Sequence, residues 1–135
     1  MVQMELRRIM ITETSDQQVI VLKEKGGVRE FPILIGIYEA TAIDRGVKSI
    51  QTPRPLTHDL LHSVLRSLNA ELERIVINDL RDSTFHAKLV IRQNGETIEV
   101  DSRPSDAIAL AVQDGTPIFA EEAVLDEACN NWGAT

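Results

Sequence analysis

The sequence predicts an α+β fold made of two tandem β-β-β-α units with an additional connecting helix and mixed or antiparallel sheets, and three observations predict it. Glu5-Leu6-Arg7-Arg8-Ile9-Met10-Ile11 recurs as Glu71-Leu72-Glu73-Arg74-Ile75-Val76-Ile77, at an offset of 66 residues. Both stretches are rich in branched apolar residues and read as strands. Turn residues then fall at matching places, with Asp16 on Asp82 and Gly26-Gly27 answering Asn94-Gly95, a type I′ hairpin signal. Finally, Glu39-Ala40-Thr41-Ala42-Ile43 matches Asp106-Ala107-Ile108-Ala109-Leu110 as helical segments at an offset of 67, with Gly46 and Gly115 as C-terminal stops. Agreement of order, spacing and turn chemistry is what a duplicated unit produces.

The elements follow in order. In repeat one, about 4–46, the first strand leads to a second over Gln18–Leu22 and a third over Arg29–Ile35. The connector Gln51-Thr52-Pro53-Arg54-Pro55-Leu56 cannot be helical, because each proline lacks an N–H and restricts the residue before it. A helix over 57–68 comes next, with Thr57 as N-cap and Leu60, Leu61, Val64, Leu65 and Leu68 as an apolar stripe. In repeat two, about 70–115, Thr84–Lys88 answers Gln18–Leu22, Leu89–Ile91 prolongs that strand, and Glu96–Asp101 is the third. Pro117–Phe119 reads as a short strand and 121–128 as a short helix; 129–135 reads as a flexible tail, and Cys129 as an incidental thiol. Residues 1–128 thus form a single domain.

Composition excludes several classes. The 135 residues are 43% hydrophobic, enough for one core. No apolar run reaches the roughly 18–20 residues of a spanning helix, and the N-terminus lacks a signal-like basic-then-apolar pattern, so a cytoplasmic protein without membrane contact is expected. One cysteine allows neither an internal disulfide nor a Cys-rich zinc site. A net charge of −7 opposes binding of nucleic acid by bulk charge. The charge is uneven, however: residues 1–67 carry nine basic and eight acidic side chains, residues 68–135 five and thirteen. A polyanion would choose the surface of Arg45, Lys48, Arg54 and Arg66.

Gly-rich phosphate loops, GxSxG and HExxH are absent. Two clusters remain. In Arg54-Pro55-Leu56-Thr57-His58-Asp59, the helix start offers free N–H groups to an anion, Arg54 can fork onto phosphate oxygens, and His58 can act as a base. The plainer reading has Thr57 capping and Asp59 complementing the helix dipole. In Asp101-Ser102-Arg103-Pro104-Ser105-Asp106, a strand ends and a helix opens at Pro104; Asp101 and Asp106 can hold Mg²⁺ or Mn²⁺ through oxygen while Arg103 steadies a phosphate. The plainer reading makes Pro104 a first helical residue and pairs Arg103 with Asp101. Glu39 answers Asp106 in the first repeat and would supply a pseudo-symmetric carboxylate. Asp79 and Asp82 read as turn residues, and His62 and His86 as surface or core side chains.

The strings Arg54-Pro55-Leu56-Thr57-His58-Asp59-Leu60-Leu61, Ser102-Arg103-Pro104-Ser105-Asp106-Ala107-Ile108-Ala109-Leu110-Ala111 and Ile35-Gly36-Ile37-Tyr38-Glu39-Ala40 closely resemble the bifunctional nuclease family, over about residues 4–128. The resemblance implies a compact α+β fold, nuclease activity on DNA and RNA, and a homo-oligomer. It implies no assigned catalytic set, so the roles come from residue chemistry. His58, Asp59 and Asp106 are the expected catalytic groups; Arg54, Thr57, Arg103 and Ser105 would contact substrate; Glu39, Asp101 and Asp106 would hold Mg²⁺ or Mn²⁺. The rival reading is a non-catalytic regulatory or protein-interaction module that oligomerises. A third is a binder of a small anionic metabolite at the paired helix starts.

Overall fold

The structure is a computed structural model that describes residues 1–12 and 14–133. In chain order it comprises β1 (Val2–Met10), β2 (Gln17–Glu24), β3 (Glu30–Gly36), α1 (Ile37–Lys48), α2 (Thr57–Ser67), β4 (Ala70–Arg81), β5 (Thr84–Gln93), β6 (Glu96–Ser102), α3 (Pro104–Asp114), β7 (Ile118–Ala120) and α4 (Glu122–Gly133). One mixed sheet has the order β3-β2-β1-β7-β4-β5-β6. The two three-stranded halves are antiparallel within themselves, and β7 joins them, antiparallel to β1 and parallel to β4. The mixed α+β architecture is the one expected from the sequence.

The repeat reaches into backbone detail. In β1 the register against β2 shifts between Leu6 and Arg8; in β4 the register against β5 shifts between Leu72 and Arg74, the equivalent residues of the second copy. Each shift is a bulge that bends the strand and increases its twist. The second strands align differently from the sequence match, since Leu6 faces Leu22 and Leu72 faces Ile91, so Leu22 corresponds to Ile91 and not to Lys88. The cause is turn length. Asp82 and Ser83, with φ of 50° and 63°, close a tight turn between Arg81 and Thr84, whereas β1 and β2 part at Met10 and Gln17. There the buried Gln18 side chain donates to the carbonyls of Thr12 and Ser15.

The core lies between one sheet face and α1, α3 and α4. It is filled by Ile20, Leu22, Phe31, Ile75, Ile77, Ile108 and Leu125 among others. Phe31 on β3 stacks on Phe85 of β5 with ring centroids 5.3 Å apart, although four strands separate β3 from β5 in the sheet. The sheet therefore curls around its helices. Helix α3 is the central one, with Pro104, Ser105 and Ala107 through Ala111 all buried. Helix α1 lies beside it, and a Cβ on Gly46 would stand 2.8 Å from Val112 Cγ2. Gly46 is thus a close-approach residue inside α1, which ends at Ser49 in the left-handed region, and it is not the helix stop that the sequence suggested. Gly115 does end α3, with φ of 73°.

Two further expectations are corrected. Helix α4 runs past Ala128 to Gly133, through most of the stretch read as a tail, because Cys129 packs against the core and its thiol donates to the Glu30 carbonyl at 3.4 Å. Arg29 adds ion pairs to Glu122 and Asp126. Residues 134 and 135 of that tail lie outside the described residues. Thr57 is the first residue of α2 and Leu56 its N-cap, with the Asp59 carboxylate accepting the Leu56 N–H at 2.9 Å. The direction of the α2 stripe, which periodicity leaves open, is outward: Leu60, Leu61, Val64 and Leu68 are 56%, 42%, 45% and 58% exposed, while His62 is buried. No described helix is long and apolar enough to cross a membrane.

Candidate functional site

The Pro53–Pro55 connector delivers α2 onto α3 with its polar side inward. His58, in the first turn of α2, places Nε2 3.0 Å from Asp106 Oδ1 in the first turn of α3. One turn later His62 Nε2 lies 2.8 Å from the Leu110 carbonyl, which requires a proton on that nitrogen. Asp59 accepts from Gln113 Nε2 at 3.1 Å through the oxygen not used by Leu56. The two helix starts that the sequence singled out therefore meet in space.

Asp106 is held on both sides. Its second oxygen accepts from Arg103 Nε at 2.9 Å, and Arg103 Nη2 reaches Glu39 Oε1 at 3.0 Å. A chain Glu39–Arg103–Asp106–His58 results, with one guanidinium bridging the acids at equivalent positions of the two repeats. Partial burial pushes the Asp106 carboxyl upward, but hydrogen bonds from Arg103 and His58 outweigh it and hold the group below the usual carboxylate range. The same bond to Asp106 raises the Arg103 guanidinium, with Glu39 adding to it. Arg103 pairs with these two acids and not with Asp101.

The imidazole of His58 is only 14% exposed, and its Nε2 is engaged by a carboxylate. With the proton on Nε2, Nδ1 keeps a free lone pair. This is the arrangement of a general base oriented by an acid. A cleft of about 650 Å³ opens beside it, walled by Arg45, Arg66, His58, Asp59, Ile50 and Leu56. A second cleft of about 710 Å³ touches Arg103 and runs along Pro32–Gly36.

The other sequence candidates separate by position. Arg54 and Thr57 are exposed at the connector and the start of α2. Ser105, in the first turn of α3, is 6% exposed and lines the second cleft beside Arg103. Asp59 has both oxygens committed to holding α2. Asp101 is exposed on β6 and makes no ion pair among the described residues. Mg²⁺ or Mn²⁺ does not fit the acids as they stand, since Arg103 already supplies the cation between Glu39 and Asp106. Among the described residues no three His, Cys, Asp or Glu side chains converge as metal ligands. Sequence reasoning missed Gln113, which has no motif of its own, and the seating of His62.

A curled α+β domain whose two halves share one ion-paired acid–imidazole chain is a coherent class of protein, and comparison places it. The model of the bifunctional nuclease domain matches residues 20–131, and the chain belongs to that family. An uncharacterised protein of Mycobacterium tuberculosis is 42% identical over 120 residues, covering 89% of this chain and 71% of that protein. Bifunctional nuclease 2 of Oryza sativa subsp. japonica is 28% identical over 112 residues, covering 80% of this chain and 34% of its own. Bifunctional nuclease 1 of Oryza sativa subsp. indica is 25% identical over 121 residues, covering 87% of this chain and 37% of its own. The chain spans little more than a third of these plant relatives.

Proposed function

We propose that this domain is a phosphodiesterase acting on nucleic acid, DNA or RNA. The observation that carries the reading is the His58–Asp106 pair beside a cleft walled by arginines. His58 Nδ1 takes a proton from an attacking water as the new P–O bond forms, the P–O bond to the leaving sugar oxygen breaks, and that oxygen takes up a proton from solvent, so that one water is consumed per bond cut. Asp106 orients the ring and stabilises the imidazolium. Arg103, with one nitrogen outside its two ion pairs, and Arg54 hold phosphate oxygens. The plant relatives' name supports this class of activity. A homo-oligomer in the cytoplasm is part of the same proposal.

The test is cleavage of labelled single-stranded RNA and DNA, with chelator and with added Mg²⁺ or Mn²⁺. His58→Ala should lower the rate by roughly a hundredfold or more at a temperature where circular dichroism shows the variant folded. Cleavage retained in that variant would remove the dyad from the chemistry. Cleavage that appears only with metal and survives His58→Ala would give the work to an ion that displaces Arg103. The outward leucines of α2 favour a second reading, a non-catalytic interaction module, in which neither substrate is cut.

A further inference from the structure

The free edge of β3 takes no part in the His58–Asp106 chain. β3 pairs with β2 on one side and, among the described residues, with no strand on the other. The Glu24 N–H donates to the Arg29 carbonyl at 2.9 Å, which fixes the alternation along β3. Phe31, Ile33 and Ile35, in step with Arg29, turn their backbone groups to β2, while Pro32 and Leu34 turn theirs to the free edge. Pro32 suits such a position because it has no N–H to leave unpaired. The run Pro32–Gly36 walls the cleft of about 710 Å³ without a break. Side chains alternate between the two faces of a strand, so an unbroken run means that the edge itself forms the wall. The Leu34 N–H and C=O therefore open into the cleft, and no described group bonds to them.

What this edge can hold follows from its length and its walls. A partner strand needs a ladder of backbone groups, and the cleft offers a single rung. Pro32 has no N–H, and Gly36, as the N-cap of α1, turns its carbonyl into that helix. One donor beside one acceptor is instead what the Watson–Crick edge of a nucleobase offers in return. Phe85 and Pro104 line the same cleft and give flat apolar faces for a ring to lie against. Arg103 stands at the α1 end of the cleft, bonded to Glu39, whose Oε2 would lie 2.5 Å from a Cβ on Gly36. Gly36 is two residues from Leu34, roughly 7 Å along a strand. A phosphate on Arg103 and a base on Leu34 thus lie within the span of one nucleotide.

We infer that the free edge of β3 is a nucleobase subsite, in which the Leu34 N–H and C=O take the Watson–Crick edge of the base whose phosphate Arg103 holds. The inference rests on the phosphodiesterase reading for the kind of ligand and names its class: a strand whose base at that phosphate is unpaired. Every base carries a donor beside an acceptor on that edge, so the subsite accepts any of them, whereas a base paired in a duplex has none free.

Calorimetry and amide NMR on the full chain test it, with uridine 5′-monophosphate, 3-methyluridine 5′-monophosphate and inorganic phosphate as probes. Uridine monophosphate should bind roughly tenfold or more tighter than phosphate and shift the Leu34 amide. The methyl group removes the base's donor, so 3-methyluridine monophosphate should fall back toward phosphate. Leu34→Pro deletes the N–H at a position turned away from β2 and should lose the same advantage while circular dichroism shows it folded. Equal binding of the two nucleotides, equal binding of uridine monophosphate and phosphate, or a folded Leu34→Pro that binds like the parent would each overturn the inference. Should the proline variant unfold, the two nucleotides on the parent chain decide. A Leu34 amide that moves with acetylated tetra-alanine and not with uridine monophosphate would give the edge to a peptide and overturn the subsite. Uridine monophosphate held as expected by a chain that cuts no strand would remove the phosphodiesterase and leave the subsite; cleavage without any advantage for the nucleotide would do the reverse.

Discussion

Helices α2 and α3, each 11 residues long, turn their apolar side chains in opposite directions. Helix α3 buries Ala107 through Ala111 between α1 and the sheet, and what it shows its neighbour α2 is Asp106, the Leu110 carbonyl and Gln113. Helix α2 answers with His58, His62 and Asp59 and leaves its leucines outside. Magnitudes show why this matters. Such hydrogen bonds contribute roughly 1 kcal/mol each, against roughly 1.5–3 kcal/mol for each large apolar side chain fully buried. The polar seam alone does not outweigh an outward stripe, so the arrangement makes physical sense when the stripe is covered. One helix thus presents hydrogen-bonding side chains to its neighbour and apolar ones to solvent.

The sharpest way to break this comparison is to truncate one leucine on each helix. Leu110→Ala in α3 should cost about 2–5 kcal/mol, because the site is 1% exposed and leaves a cavity. Leu60→Ala in α2, at a site 56% exposed, should change stability by no more than about 0.5 kcal/mol. Urea midpoints measure both, and equal losses would mean that α2 packs as α3 does.

A smaller effect is expected where α1 meets α3. Gly46→Ala gains about 1 kcal/mol of helix propensity but forces a methyl against Val112, which costs roughly 1–3 kcal/mol. A net loss of about 1 kcal/mol should appear in thermal melts; a gain would show that the two helices can part without penalty.

The smallest effect is set by pH. The Asp106 carboxyl is depressed in the folded chain, so its contribution is present above the ordinary value of 3.8 and is lost as pH falls through its lower folded value. Asp106→Asn should therefore be less stable than the parent near neutrality, and the gap should close in acid below pH 3.8. A gap independent of pH would assign the bond to shape and not to charge.

Much of the fold was legible because duplication repeats the same local instructions. The bulges at Leu6–Arg8 and Leu72–Arg74 lie in the strings that revealed the repeat, and Pro104 and Gly115 mark the ends of α3. The inversion of α2 was not legible. Helical periodicity places Leu60, Leu61, Val64 and Leu68 on one face, but it does not say whether that face meets this chain or another. Of the site, His58, Asp106, Arg103 and Glu39 were found from helix starts and from the pseudo-symmetric match. Their order along one chain of ion pairs was not, because it depends on which carboxylate a long arginine reaches.

Among the described residues, the short strand β7 alone is hydrogen-bonded to both β1 and β4, which do not pair with one another. During synthesis each three-stranded half can complete its own hairpins as it emerges, N-terminal half first. Their union waits for Ile118–Ala120. A nascent chain stalled before that point holds two curled half-sheets with a slot between them, shaped for a strand that has yet to leave the ribosome.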